Sequence, residues 1–103
     1  MRRGEVWWVE RPNVGRRPHL IFTRQAAIPV LNAVTAVPTT RTARNIPSEV
    51  TVTPEDGMPT ECVLSLDNLT RIPKAFFVER ICQLSGARMN EVCAALAYAT
   101  DCD

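Results

Sequence analysis

Hydrophobic residues alternate with polar ones in short runs over most of the chain, and only the C-terminal part repeats them at helical spacing. Alternating runs rich in β-branched and aromatic residues, bounded by Pro, Gly, Asn and Asp, are typical of strands. The pattern predicts five or six short strands. Their residues are 5–10, 19–24, 31–37, 49–53, 62–66 continued by 69–72, and 78–84.

The C-terminal segment changes to the period of a helix. Ser85 is a suitable N-cap for it. The apolar positions of one face then follow at i, i+3 and i+4 spacing: Met89, Val92, Cys93, Leu96 and Ala97. Short strands followed by one helix predict a mostly β fold, a small barrel closed by a C-terminal α-helix. With 103 residues, 46% of them hydrophobic, we expect a single domain over 1–103.

The composition narrows the class of protein further. Apolar runs are too short to span a membrane and no signal-peptide pattern follows Met1, so we expect a cytoplasmic protein. The four cysteines contain no Cys-x-x-Cys pair, which disfavours a zinc site. Cys62, Cys82 and Cys93 lie in apolar sequence and are expected to be buried thiols, whereas Cys102 is expected to be exposed.

Charge is distributed unevenly between the two halves of the chain. Residues 1–50 carry eight arginines, no lysine and three carboxylates, whereas residues 51–103 carry four bases and eight carboxylates. Arginine favours fork-like recognition of anions, so a polyanion is a candidate partner of the first half. The alternative is that the two halves neutralise each other within the fold or across a dimer.

Two segments place arginine beside the end of an apolar run. Proline pushes the preceding residue toward extended backbone, so Arg17 before Pro18 is aimed from the mouth of a strand, and its planar fork suits phosphate oxygens. Residues 39–45 mix hydroxyl and guanidinium groups directly after the third strand, as contacts to a nucleic-acid backbone do. On residue type alone, Arg16 and Arg17 are more often ordinary solvated loop arginines, and residues 39–45 are also compatible with an exposed loop.

Short motifs spread over nearly the whole chain resemble one family in their order and spacing. They are Arg3-Gly4-Glu5-Val6-Trp7, Arg17-Pro18, Val37-Pro38-Thr39-Thr40, Pro47-Ser48-Glu49-Val50 and Leu66-Asp67-Asn68-Leu69-Thr70-Arg71-Ile72. Together with the terminal helix, they resemble the MazF/PemK toxins of bacterial toxin–antitoxin pairs. The resemblance implies a CcdB/MazF-type, SH3-like β-barrel and a homodimer. It also implies a toxin that cleaves single-stranded RNA sequence-specifically, without a metal or other cofactor, and so inhibits translation and growth.

The same resemblance implies where the chemistry resides. The catalytic pair falls on Arg17 and Thr40, with Thr39 as the alternative hydroxyl one place earlier. Substrate contacts are expected from Arg16, His19, Thr39, Arg41, Thr42, Arg44 and Asn68. The expected partners are messenger, ribosomal or transfer RNA and an antitoxin whose acidic, extended segment covers the basic groove.

Metal-free RNA cleavage uses the neighbouring 2′-OH as nucleophile, so the protein must orient that group and stabilise charge on the phosphorane. Arg17 can bind the non-bridging oxygens and Thr40 can donate a neutral hydrogen bond to the same phosphate. His19 has a suitable ordinary pKa for proton transfer, although a lone strand histidine is more often structural. The loop before Arg17 is shorter than in many relatives and has no acid, so no recognition role is carried over to it.

Two alternatives belong to other functional classes. One is a CcdB-like poison of DNA gyrase, which would depend on the face of the C-terminal helix. The other is a non-catalytic SH3-like interaction module, in which an exposed aromatic of the Trp7-Trp8 pair would matter most.

Overall fold

Seven antiparallel strands and one helix form the fold of the computed structural model, which describes residues 1–102. The strands are β1 Glu5–Arg11, β2 Gly15–Ile21, β3 Ala33–Thr40, β4 Glu49–Val52, β5 Cys62–Ser65, β6 Thr70–Pro73 and β7 Phe77–Gln83, and the helix is α1 Gly86–Thr100. The sheet order is β4-β5-β3-β2-β1-β7, with β6 also paired to β3. The predicted mostly β class with a C-terminal helix is confirmed.

Strand number and closure differ from the prediction of five or six strands in a closed barrel. A 3-10 turn at Leu66–Asn68 divides the predicted fifth strand into β5 and β6, which pair with opposite ends of β3. The end strands β4 and β7 each pair on one side only within residues 1–102, so the hydrogen-bonded sheet is open. The extra strand arises because this turn separates two segments that the alternation of hydrophobic residues predicts to be one continued strand.

Strand β2 begins earlier than predicted. Asn13 and Gly15 adopt φ angles of 65° and 95°, which close a tight turn after β1 and return the chain directly into β2. Arg16 and Arg17 therefore lie within the strand, although the sequence pattern predicts a strand only from residue 19.

Strand β3 continues through Pro38 to Thr40, although the sequence predicts that it stops at the proline. The carbonyl oxygen of Thr35 accepts a hydrogen bond from the amide of Phe22, so the backbone polar groups of Thr35 point toward β2. Because these groups alternate along a strand, the backbone groups of Val37 also point toward β2, and those of Pro38 point toward the opposite edge of β3. On that edge Pro38 falls between residues 33–36, which pair with β6, and 39–40, which pair with β5. The missing N–H therefore removes no ladder hydrogen bond.

The sheet carries one hydrophobic core on each face, because successive side chains of a strand point to opposite sides. Val6, Leu20 and Val37 belong to the core that α1 covers, whereas their neighbours on the same strands, including Val9 and Ile21, belong to the other core. This two-sided burial explains why β2 ends in three consecutive buried residues rather than an alternating pattern.

Helix α1 covers the first core with a face that overlaps the predicted one, since Met89, Val92 and Leu96 pack against that core as expected. The Ser85 side chain accepts a hydrogen bond from the amide of Arg88, which confirms the predicted N-cap. Val92 and Ala95 are buried, but Cys93 is exposed, so the prediction that Cys93 is buried is wrong. Apolar residues occur on more than one face of the helix, so packing against the sheet decides which of them are buried. Within residues 1–102, no helix has the length and apolarity required to cross a bilayer.

A buried carboxylate joins the two strands that are farthest apart in sequence. Glu5 on β1 accepts hydrogen bonds from Nε of Arg80 on β7 at 2.7 Å and from Nε1 of Trp7 at 3.1 Å. Its side chain is only 8% exposed, so these bonds replace the water that the carboxylate loses.

Candidate active site

The site lies where β2 and β3 separate. The two strands pair as far as His19 and Pro38, after which β3 turns away to pair with β5. The buried hydroxyl of Thr39 bridges the gap by donating to the carbonyl oxygen of Pro18 at 3.0 Å. A pocket of about 450 Å³, here called the main pocket, opens at this junction. Its lining residues are Trp8, Arg16, Arg17, Pro18, Thr39, Thr40, Arg41, Thr42, Met58, Pro59, Thr60 and Cys62.

The strand register places Arg17 and Thr40 on the same face of the sheet. His19 and Pro38 are direct cross-strand partners, Arg17 precedes His19 by two residues and Thr40 follows Pro38 by two. Because side chains at i and i+2 share a face, Arg17 and Thr40 both project toward one side of the junction. Both residues line the main pocket, so a ligand bound there lies beside Arg17 and Thr40.

The two neighbouring threonines differ in what their hydroxyls can still do. Thr39 is 3% exposed, and its hydroxyl hydrogen is already donated to Pro18. Thr40 is partly exposed, and its oxygen accepts from the amide of Thr42 at 3.2 Å, which leaves its hydrogen available as a donor. Thr40 is therefore the better placed of the two to donate to a bound phosphate.

The lining of the main pocket favours an anion. Arg16, Arg17 and Arg41 are among the lining residues, and none of the lining residues is a carboxylate. Burial raises the pKa of the Cys62 thiol, so this lining residue stays neutral at pH 7. No negatively charged residue of the lining therefore compensates the positive charge of these arginines.

A smaller pocket of about 180 Å³, here called the side pocket, adjoins the main one and shares Arg16 and Arg17 with it. His19 lies there, 6% exposed, with Nδ1 at 3.1 Å from the carbonyl oxygen of Arg17. Since that oxygen only accepts, Nδ1 carries a hydrogen. Burial lowers the pKa of His19, and the guanidinium groups of Arg17 and Arg11 act in the same direction, so the ring is neutral at pH 7.

Two of the predicted substrate contacts lie outside both pockets. Asn68 donates from its side chain to the hydroxyl of Ser65 at 2.9 Å, and Arg44 is exposed in the loop between β3 and β4. The structure therefore brings together the predicted residues Arg16, Arg17, Thr39, Thr40, Arg41 and Thr42 in the main pocket, with His19 beside them. The described residues, 1–102, contain no group of three His, Cys, Asp or Glu side chains able to hold a metal ion.

Several lining residues were not found by sequence reasoning. Trp8 reaches the pocket from β1, whereas Met58, Pro59, Thr60 and Cys62 arrive with the loop before β5 and its first residue. These residues are apolar or uncharged and carry no local signal of a site. They are placed there by the pairing of β5 with the end of β3, which the sequence pattern does not specify.

The fold and the site together define a small, mostly β protein with a basic, hydroxyl-bearing pocket suited to a phosphodiester. Residues 2–100 match the family described as "PemK-like, MazF-like toxin of type II toxin-antitoxin system". The chain belongs to this family.

Individual relatives agree with the family match. The chain is 41% identical over 101 residues to the "Probable endoribonuclease MazF5" of Mycobacterium tuberculosis, covering 97% of this chain and 93% of that protein. Among solved structures, an "Endoribonuclease in complex with its cognate antitoxin from Mycobacterial species" is similar with a TM-score of 0.89 and 30% identity over 100% of this chain and 97% of that one. The "Mycobacterium tuberculosis toxin MazF-mt6" is similar with a TM-score of 0.88 and 30% identity over 96% and 98% of the two chains.

Proposed function

We propose that this protein is the toxin of a type II toxin–antitoxin pair and a sequence-specific, metal-independent endoribonuclease that cleaves single-stranded RNA and thereby inhibits translation and growth. The single observation that carries the proposal is that Arg17 and Thr40 line one basic pocket, in a chain of the PemK/MazF family, and that the Thr40 hydroxyl accepts a hydrogen bond without donating one. Relatives of the chain are also named as endoribonucleases.

Arg17 is the proposed electrostatic catalyst. Arg17 lines a pocket whose lining contains no carboxylate, and its guanidinium group is proposed to bind the two non-bridging oxygens of the scissile phosphate. As the 2′ oxygen bonds to phosphorus, the bond from phosphorus to the 5′ oxygen breaks, and the proton lost from the 2′-OH is balanced by one gained by the departing 5′ oxygen. Negative charge grows on the non-bridging oxygens during this step, so the fixed positive charge stabilises the phosphorane more than the ground state. Arginine stays protonated throughout, which suits it to this role rather than to that of a base.

Thr40 is the proposed second donor to the same phosphate. The amide of Thr42 fixes its hydroxyl oxygen, so the hydrogen turns toward the pocket without further reorganisation. Thr39 supports Thr40 indirectly, because its bond to Pro18 holds β3 against β2 at the point where they diverge.

The remaining predicted contacts surround this pair. Arg16, Arg41 and Thr42 line the main pocket and are proposed to bind the RNA backbone on either side of the scissile phosphate. His19 is proposed to orient Arg17 through the bond to its carbonyl oxygen. Arg44 and Asn68 lie outside the pockets and are proposed as outer contacts to a longer RNA strand.

The experiment is cleavage of a mixed-sequence RNA in EDTA by the wild-type protein, Arg17→Ala and Arg24→Ala. Removing the donor at Arg17 should lower the cleavage rate by about 100- to 1,000-fold. Arg24 is the matched control, because it is exposed, lies outside both pockets and carries the same charge. Equal activity of the wild type and Arg17→Ala would remove Arg17 from the mechanism.

A substrate change tests the nucleophile independently. RNA with a single deoxyribose on the 5′ side of the scissile phosphate should bind but remain uncut at that step, because the attacking 2′-OH is missing. Cleavage at that position would contradict internal attack. Sequencing the 5′ ends of the cleaved products of unmodified RNA identifies the recognised sequence.

The proposed protein partners are a second copy of this chain and an antitoxin with an acidic, extended segment. The toxin–antitoxin complex of the 30% identical structural relative supports the second of these. The carboxylate-free lining of the main pocket supplies the electrostatic reason for an acidic segment to cover it. We propose the cytoplasm as its compartment, since the RNA substrates are there.

The family match and the endoribonuclease relatives support this function over a gyrase poison or an interaction module. The same assay separates the three. A gyrase poison would leave RNA intact and inhibit supercoiling of DNA, and an interaction module would do neither.

A further inference from the structure

Three side chains from three neighbouring strands lie on one face at the rim of the main pocket. Trp8 on β1 pairs with Pro18 on β2 and with Glu79 on β7. Arg16 precedes Pro18 by two residues and therefore shares its face, diagonally opposite Trp8. This face is opposite to the one that carries Arg17 and Thr40, and the main pocket at the strand ends is lined from both. Trp8 and Arg16 both line the main pocket, whereas Glu79 lies outside it.

Arg16 crosses the indole ring of Trp8 to reach Glu79. Its guanidinium carbon lies 5.0 Å from the ring centroid, and its Nη2 lies 2.7 Å from Oε1 of Glu79. The side chains of Arg16 and Glu79 are 44% and 66% exposed, so the ion pair is a weak surface interaction. The guanidinium group thus covers an aromatic face beside the pocket and is held there by a contact that a stronger anion can displace.

We propose that the indole face of Trp8 is a stacking site for one base of the RNA, and that Arg16 covers this site in the free protein while Glu79 holds Arg16 in place. The inference rests on the proposed function, since it takes single-stranded RNA as the ligand of the main pocket. It adds a binding residue, Trp8, and a residue that opposes binding, Glu79.

The chemistry of single-stranded RNA matches this arrangement. Its bases are unstacked, and proteins bind such bases on aromatic side chains, because every base offers a π-face. A base from a nucleotide next to the scissile phosphate reaches across the strand ends, within the main pocket, and displaces Arg16 from the indole. The released guanidinium group then exchanges the carboxylate of Glu79 for a phosphate oxygen, which keeps its charge paired.

The exchange predicts opposite effects for the two residues. Replacing Trp8 with leucine removes the π-face, which should weaken RNA binding by about 5- to 100-fold. Replacing Glu79 with glutamine frees Arg16 from a surface ion pair, which should tighten RNA binding by about 2- to 5-fold. Trp8→Phe keeps an aromatic face and should retain most of the affinity.

The experiment measures binding of a mixed-sequence 2′-O-methyl RNA, which cannot be cleaved, by fluorescence anisotropy in EDTA at one fixed salt concentration. Tyr98→Leu is the control for Trp8→Leu, since Tyr98 is an exposed aromatic on α1 outside both pockets. Glu10→Gln is the control for Glu79→Gln, since Glu10 is the cross-strand partner of Arg16 and none of the observed ion pairs involves it. The Arg16→Ala single variant and the Arg16→Ala/Glu79→Gln double variant complete the set.

The expected result is weaker binding for Trp8→Leu but not for Tyr98→Leu, and tighter binding for Glu79→Gln but not for Glu10→Gln. Arg16→Ala should itself weaken binding, and adding Glu79→Gln to it should change nothing further. Wild-type affinity of Trp8→Leu, or loss of affinity in Trp8→Phe equal to that in Trp8→Leu, overturns the stacking site. The role of the Arg16–Glu79 ion pair is refuted by either of two results. One is an equal effect of Glu10→Gln and Glu79→Gln on RNA binding, and the other is an effect of Glu79→Gln that persists when Arg16 is alanine. No binding by the wild type overturns both.

Cleavage of unmodified RNA, measured separately, distinguishes this inference from the proposed function. Cleavage by the wild type together with unchanged binding by Trp8→Leu would refute only the stacking site. Weakened binding by Trp8→Leu without any cleavage by the wild type would refute only the nuclease.

Discussion

Replacing Thr40 with valine removes a hydroxyl from the main pocket while leaving a side chain of nearly the same size. The amide of Thr42 then loses its acceptor, but Thr40 is partly exposed and the following loop, which contains Thr42, is open to water. The stability cost should therefore stay within about 0.5 kcal/mol. The cleavage rate should fall by about 100- to 1,000-fold, because one donor to the phosphorane is gone.

Thr39→Val should act mainly on the stability of the protein. Thr39 is 3% exposed and its hydroxyl satisfies the carbonyl oxygen of Pro18. Leaving that oxygen unpaired in the interior should cost about 1–3 kcal/mol of the free energy of unfolding. For a domain of this size, each kcal/mol lowers Tm by about 4–8 °C.

The assay is single-turnover cleavage of RNA in EDTA, with thermal denaturation followed by circular dichroism on the same preparations. Slow cleavage with a near-normal Tm is expected for Thr40→Val, and a lowered Tm for Thr39→Val. The reasoning is refuted if Thr40→Val cleaves at the wild-type rate. It is equally refuted if Thr39→Val keeps its Tm and loses the activity, since Thr39 would then be the donor.

Three further predictions concern the framework of the site. Glu5→Gln removes a buried negative charge between β1 and β7 and should lower the free energy of unfolding in urea by about 1–3 kcal/mol; an unchanged midpoint would contradict the role of that carboxylate. The pKa of His19 lies below its ordinary value of 6.5, so the folded protein should lose stability as pH falls from about 7.5 to 5, and His19→Gln should flatten that dependence in urea titrations. Gly57→Ala should destabilise by about 1–3 kcal/mol, because Gly57 has a φ of 101° and a Cβ there would lie 2.7 Å from Cβ of Cys82. Gly86→Ala, with nothing within 4 Å of its added Cβ, should leave Tm unchanged or raise it.

Local sequence predicts the two strand ends that carry the site. Proline directly after Arg17 and hydroxyls directly after Val37-Pro38 are short-range features, readable without knowing the topology. The register that brings them to one face follows from the His19–Pro38 pairing, which is a long-range property. Because the register is not readable from local sequence, Thr39 and Thr40 remain alternatives for the phosphate donor at that level. The fold distinguishes them, since the Thr39 hydroxyl donates to Pro18 and the Thr40 hydroxyl accepts from the amide of Thr42.

Other features depend on tertiary packing and could not be predicted from local patterns. The loop before β5 forms part of the pocket only because β5 pairs with the last residues of β3. Cys93 follows the helical period of α1 as well as Val92 does, yet only Val92 faces the sheet. A proline ends most predicted strands, but Pro38 occupies the one gap in an edge where its missing amide has no consequence.

The pairing of β1 with β7 joins the first strand to the last, with Glu5 and Arg80 separated by 75 residues. During translation β1 can complete its pairing only after β7, which ends at Gln83, has been synthesised. Contacts between such distant parts of a chain form slowly, because the intervening segment must be ordered before they are made.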